Sequence, residues 1–137
     1  MAVRRVSPAE AASLMEQDGW LYLDVRSVPE FDAGHPEGAY NIPLLHMQGP
    51  SLVANTSFVD ECRAAFQADA KLVVGCKSGG RSLQAASMLQ AAGFTSVVDQ
   101  RAGFDGGGEP GWRHAGLPVA RQARASRSYA ELVGRKA

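Results

Sequence analysis

The chain has 137 residues, 45% of them hydrophobic, which is the length of one compact domain and enough apolar surface for a sizeable core. Lys plus Arg and Asp plus Glu are equal at 14 each, so no global field recruits nucleic acid or an anionic membrane, and any anion binding has to be local. No run approaches the roughly 18 apolar residues of a membrane span, and the start MAVRRVSPAEAA lacks the apolar stretch of a signal peptide, so a soluble cytoplasmic protein is expected.

Ser7-Pro8-Ala9-Glu10 reads as a helix start, with Ser7 as N-cap, Pro8 in the first helical position and Glu10 completing a capping box. That helix runs to about Gln17, and Asp18-Gly19 ends it. Trp20 to Arg26 then reads as a strand, apolar until its end and covered on both faces. Residues 27–39 carry Pro29, Gly34, Pro36 and Gly38 and read mostly as loop, before a short strand at Tyr40 to Ile42 stopped by Pro43. Leu44 to Asn55, with Gly49-Pro50 and no periodicity, reads as surface loop leading to a helix capped near Asn55 or Thr56. Phe58, Cys62 and Phe66 recur every four residues and share one face of that helix. Leu72 to Gly75 is a short buried strand, Ser82 to Ala92 is helical with Gly93 at a left-handed cap, and Ser96 to Val98 is the last strand. Strands alternating with helices give an α/β class, a parallel sheet with helices on both faces. The domain spans 1–120. Residues 121–137 carry an excess of four positive charges (Arg121, Arg124, Arg127, Arg135 and Lys136 against Glu131) and read as a solvated, partly frayed tail rather than a nucleic-acid arm.

Two cysteines, Cys62 and Cys76, make no disulfide framework, and the absence of C-x-x-C removes zinc-ribbon and thioredoxin-type readings. His35, His46 and His114 have no second ligand at metal-binding spacing, so neither a metal nor a cofactor is expected. Cys62 belongs to a buried helix face. Cys76 stands at the carboxyl end of a strand, where open parallel sheets place their functional crevice. In CKSGGRS, residues 76–82, Gly79 and Gly80 let successive N–H groups curl inward, and a helix N-terminus points into the same space. A cysteine there is ordinarily a small core residue. Lys77 and Arg81 change that reading, because cations beside a helix N-terminus are locally unfavourable and require a compensating anion. A Cys76 thiolate is one such anion and a bound substrate is another, so the loop reads as built for attack by sulfur on an anionic molecule.

Three stretches resemble the single-domain rhodanese family of sulfurtransferases: LYLDVRSVPEFDAGHPEGAYNIP (21–43), CKSGGRS (76–82) and GWRHAGLPV (111–119). The resemblance implies a five-stranded parallel sheet flanked by helices, with an added strand near Val3 to Val6. It implies transfer of sulfane sulfur from a small anionic donor such as thiosulfate, through a Cys76 persulfide, to cyanide or a thiol, with an acceptor protein as a further partner. Cys76 is then the nucleophile, the amides of residues 77–81 face the persulfide, and Ser78, Gly79, Gly80 and Ser82 complete the loop. Lys77 and Arg81 orient the donor's oxyanion end. Asp24 and Arg26 match a strand-end pair that holds loops in place, and His35 matches a turn histidine with a structural hydrogen bond. Phosphatases and arsenate reductases of related loop logic place five residues between cysteine and arginine, whereas four intervene here, a smaller cradle. These enzymes, and a non-catalytic sulfur-carrier or docking domain, are the alternatives. Pro36 departs from the family's branched aliphatic. The extra run DGGGEPG separates Gly103-Phe104 from Trp112, so Phe104 or Trp112 is expected to line a longer pocket rim.

Overall fold

The structure is a computed structural model and describes residues 3–134. In chain order it comprises β1 (Arg4–Val6), α1 (Pro8–Asp18), β2 (Leu21–Asp24), α2 (Val28–Ala33), β3 (His35–Pro36), β4 (Tyr40–Asn41), β5 (Leu45–Gln48), β6 (Ser51–Ala54), α3 (Phe58–Ala65), β7 (Lys71–Gly75), α4 (Gly80–Ala91), β8 (Ser96–Gln100), a 3₁₀ turn at Trp112–His114, β9 (Val119–Ala120) and α5 (Tyr129–Gly134). Five strands form one parallel sheet in the order β1-β8-β7-β2-β4, the expected α/β class.

Side chains alternate across this sheet and bury on both faces. Tyr22, Val73 and Val98 pack with Ala11 of α1 and Phe31 of α2 on one side. Leu23, Leu72, Val74 and Val97 pack with Phe58, Cys62 and Phe66 of the α3 segment, Ala85 and Leu89 of α4, and Leu132 of α5 on the other. The Ser7 capping box forms as read, with Glu10 N–H donating to Ser7 Oγ at 3.1 Å and Ser7 N–H to Glu10 Oε1 at 2.8 Å. Gly19 adopts the left-handed φ of 70° that closes α1.

Three segments differ from the sequence reading. Residues 28–33 form a helix, because Glu30 accepts from both the N–H and the hydroxyl of Ser27 and so secures a helix start. Residues 45–54 form an antiparallel hairpin around Gly49-Pro50, with Met47, Leu52 and Val53 exposed. The third is the tail, which is packed rather than frayed through Gly134. Arg127 donates to Gly38 O at 2.7 Å and lies 4.6 Å from the Tyr40 ring centroid, its carbonyl accepts from Asn41 N–H, and Tyr129 Oη donates to the buried Glu61 at 2.7 Å. Arg135 and Lys136 of the predicted basic tail lie outside the described residues. Among the described residues no helix is long and apolar enough to cross a membrane.

Candidate active site

Sheet register assembles the site. Asp24 is level with Gly75 on the neighbouring strand, and Val25 N–H donates to Gly75 O at 2.9 Å, so the chain leaving β2 and the Cys76 loop leaving β7 emerge side by side. The loop after β8 joins them, with Phe104 N–H donating to Cys76 O at 2.7 Å and Asp105 N–H to Lys77 O at 3.0 Å. This approach requires glycine twice. Gly103 has φ of 72° and a Cβ there would lie 2.4 Å from the Lys77 backbone; Gly79 has φ of 105° and a Cβ would lie 2.2 Å from Arg101 O.

Cys76 is 1% exposed, and its sulfur accepts from Gly79 N–H at 3.1 Å. Helix α4 starts at Gly80, two residues before the expected position, which brings Arg81 and Ser82 into its first turn. The first-turn N–H groups have no intrahelical acceptor, so their positive end faces the loop. The Cys76 thiol reaches Ser82 Oγ at 3.4 Å, and Ser82 Oγ lies against both Gly79 O, at 3.2 Å, and Asp99 Oδ1. Cys62 is fully buried among apolar side chains, and burial pushes its thiol far above the ordinary range, which keeps it inert.

Arg81 does not present its fork to open space. Its Nη1 and Nη2 donate to Glu30 Oε1 and Oε2 at 2.8 and 3.0 Å, a bidentate pair between α4 and α2. Burial raises the Glu30 pKa, but the bonds from Arg81 and Ser27 outweigh it and hold the carboxyl down at about 2. The two terminal nitrogens of Arg81 are therefore engaged by Glu30, while its charge still faces Cys76.

Asp24 and Arg26 form the expected strand-end pair. Arg26 Nη2 donates to Asp24 Oδ2 at 2.8 Å and to Gly34 O at 2.6 Å, and the guanidinium lies 4.4 Å from the Phe104 ring centroid. His35 is buried and stacked on Phe31, and its Nδ1 lies 2.8 Å from Phe31 O, the structural hydrogen bond expected of it.

A cavity of about 410 Å³ opens beside the loop, lined by Arg26, Glu30, Lys77, Phe104, Asp105, Arg113 and Arg121 among others. Phe104 lines this cavity. Trp112 does not: it is 2% exposed, packs edge-on against Tyr22 and donates from Nε1 to Pro118 O at 2.7 Å. The physical reason is that the inserted run closes on itself. Gly106 bridges to Pro110, Glu109 pairs with Arg101 at 2.7 Å, and Trp112 N–H returns to Gly103 O at 2.8 Å. Four cations line the cavity. Arg26 is paired with Asp24 and Arg113 with Asp105 at 2.7 Å, whereas Lys77 and Arg121 are exposed and have no carboxylate partner among the described residues.

Sequence reasoning missed Glu30, Asp99 and Arg121. Glu30 carried a readable signal, since Ser27-x-x-Glu30 repeats the pattern of Ser7-x-x-Glu10. Arg121 had none, because it reaches the cavity only through the antiparallel pairing of β9 with β3.

The rhodanese-like domain family matches residues 7–109, and the chain belongs to that family. It is 39% identical over 112 residues to the senescence-associated protein DIN1 of Raphanus sativus, a match that covers 82% of this chain and 58% of that protein, so the chain spans little more than half of that relative. It is 38% identical over 101 residues to the chloroplastic thiosulfate sulfurtransferase 16 of Arabidopsis thaliana, covering 74% of this chain and 80% of that protein. The crystal structure of Rv0390 from M. tuberculosis shares the fold with a TM-score of 0.78 at 23% identity, over 89% of this chain and all of the other.

Proposed function

We propose that the chain is a sulfurtransferase that carries sulfane sulfur on Cys76. The observation behind this reading is a single sulfur set at the N-terminus of α4, accepting from Gly79 N–H, beside a cavity in which Lys77 and Arg121 have no carboxylate partner among the described residues. The Cys76 thiolate attacks the outer sulfur of thiosulfate. A bond forms between the two sulfurs, the donor's S–S bond breaks, and sulfite leaves with the electron pair. The resulting persulfide is held by Gly79 N–H and the first turn of α4 until cyanide or a thiol attacks its terminal sulfur. Lys77 and Arg121 receive the donor's oxyanion end, and the Glu30–Arg81 pair holds the loop in shape. Four residues between Cys76 and Arg81 make a cradle suited to a sulfur atom rather than a phosphoryl group.

Incubation with thiosulfate, followed by intact-protein mass spectrometry, is expected to show one added sulfur atom that cyanide removes. Absence of the added sulfur, or its retention in Cys76→Ala, overturns the reading. Cys76-dependent hydrolysis of an aryl phosphate or reduction of arsenate would put the phosphatase and reductase alternative in its place.

A further inference from the structure

A buried sulfur that must ionise has to hand its proton to a neighbour before that proton reaches water. One hydrogen-bonded chain offers the route. The Cys76 thiol donates to Ser82 Oγ at 3.4 Å, Ser82 Oγ donates to Asp99 Oδ1, and Asp99 Oδ2 accepts from Arg5 Nε at 2.6 Å. Ser82 and Asp99 are both 0% exposed, while the Arg5 side chain is 41% exposed, so the chain runs from the sulfur through a dry interval to the surface. A carboxylate in that interval is costly to bury, and its second hydrogen bond comes from the Ser82 hydroxyl that touches the reacting sulfur.

We propose that Asp99 is the proton acceptor for Cys76, acting through Ser82. This rests on the sulfurtransferase reading for its purpose but not for its chemistry. The S–H bond breaks and its proton passes to Ser82 Oγ, while the Ser82 proton passes to Asp99 Oδ1; the electron pair stays on sulfur. The thiolate then accepts from Ser82 O–H as well as Gly79 N–H, beside a neutral carboxyl. Negative charge moves from carboxylate to sulfur without any net charge being created in the buried site, which avoids the desolvation cost of ionising sulfur next to a permanent anion. Burial favours this direction because it raises the Asp99 carboxyl, against the opposing pull of Ser82 and Arg5. Other groups bear on the pair. Arg5 of β1 faces Asp99; Arg81 of α4 and Tyr22 of β2 face Cys76, with Glu30 and Asp24 beyond Arg81, each ion-paired.

The internal transfer takes no proton from solvent, so it leaves a signature in the pH profile. The rate of Cys76 alkylation by iodoacetamide, read by peptide mapping, should level to a plateau below the ordinary thiol pKa of about 8.5 instead of falling with each pH unit. In Asp99→Asn the plateau should vanish and the rate fall about tenfold per pH unit, reaching about 10²-fold below the wild type in mild acid and converging with it above about pH 9. Ser82→Ala, a small change at the same relay, should behave alike, and the double variant should be no slower than either single one. A wild-type profile without a plateau, or variant profiles that superimpose on the wild type or sit uniformly below it, would overturn the proposal. Persulfide formation from thiosulfate, followed across the same pH range, separates the two readings: a plateau in alkylation without any persulfide sustains the relay and removes the sulfurtransferase.

Discussion

Glu30 ties two pieces of the site together with one carboxylate: the first turn of α2, through Ser27, and the first turn of α4, through Arg81. Its folded pKa of about 2 lies below the ordinary 4.5, so the stabilisation is complete above pH 4.5 and is lost as pH falls toward 2. Glu30→Gln is expected to cost about 2 kcal/mol at neutral pH, a figure reduced for solvent screening of a partly exposed pair, and to converge with the wild type in acid. Denaturant titrations at neutral pH and at low pH measure both points. A difference that persists unchanged in acid would show that the pair stabilises by packing rather than charge. The same pair shows why residue types alone do not reveal a partner. Arg81 next to Cys76 reads as a donor fork, yet its partner is 51 positions away and is decided by how α2 meets α4.

Helix α5 closes the α3 side of the sheet. Leu132 enters the core with Phe58 and Cys62, and Tyr129 donates to Glu61, a buried carboxylate also contacted by Asn55 at 2.8 Å. Leu132→Ala is therefore expected to cost about 2 kcal/mol, the lower end for a buried leucine because the site lies at the margin of the core. Thermal unfolding measures this, and a change within about 0.5 kcal/mol would mean that α5 adds little to the domain. Elements with a local stop signal were legible: Ser7 and Glu10 start α1, Gly19 ends it, and the four-residue spacing of Phe58, Cys62 and Phe66 marks a buried face. The hairpin at 45–54 was not, because the alternation in LHMQ lasts only four residues, SLVA does not alternate in polarity, and their strands pair with each other, mostly in solvent. Helix α5 escaped for a related reason: six residues carry too little periodicity to outweigh the surrounding arginines, and what orders them is contact with α3.

At the scale of the molecule, net charge is zero, so under the proposed function attraction of an anionic donor would come from the cavity rather than from a long-range field. Lys77→Gln and Arg121→Gln are each expected to raise the thiosulfate KM several-fold with kcat largely kept, because in the proposed function they bind the donor's charge rather than the reacting sulfur. In the double variant the dependence of kcat/KM on salt, between about 10 and 200 mM, should flatten, since the remaining cavity cations are neutralised by their own carboxylates. Steady-state kinetics at several ionic strengths test this. A salt slope unchanged in the double variant would assign donor capture elsewhere.

The alternation of strands and helices, the two-sided core and the Cys76 loop followed from local pattern: strand periodicity, caps, and glycines placed where a side chain would obstruct, whereas β1 and the Asp24–Arg26 pair were implied only by the family resemblance. Which cation is free and which is paired did not follow, nor did the route from Cys76 to Asp99 or the placing of Trp112 in the core and Arg121 at the cavity. Those outcomes join residues distant in the chain, and each depends on sheet register and on loops meeting at the carboxyl ends of the strands. Short-range preferences build the elements of this protein. Long-range packing distributes their charges and thereby defines the site.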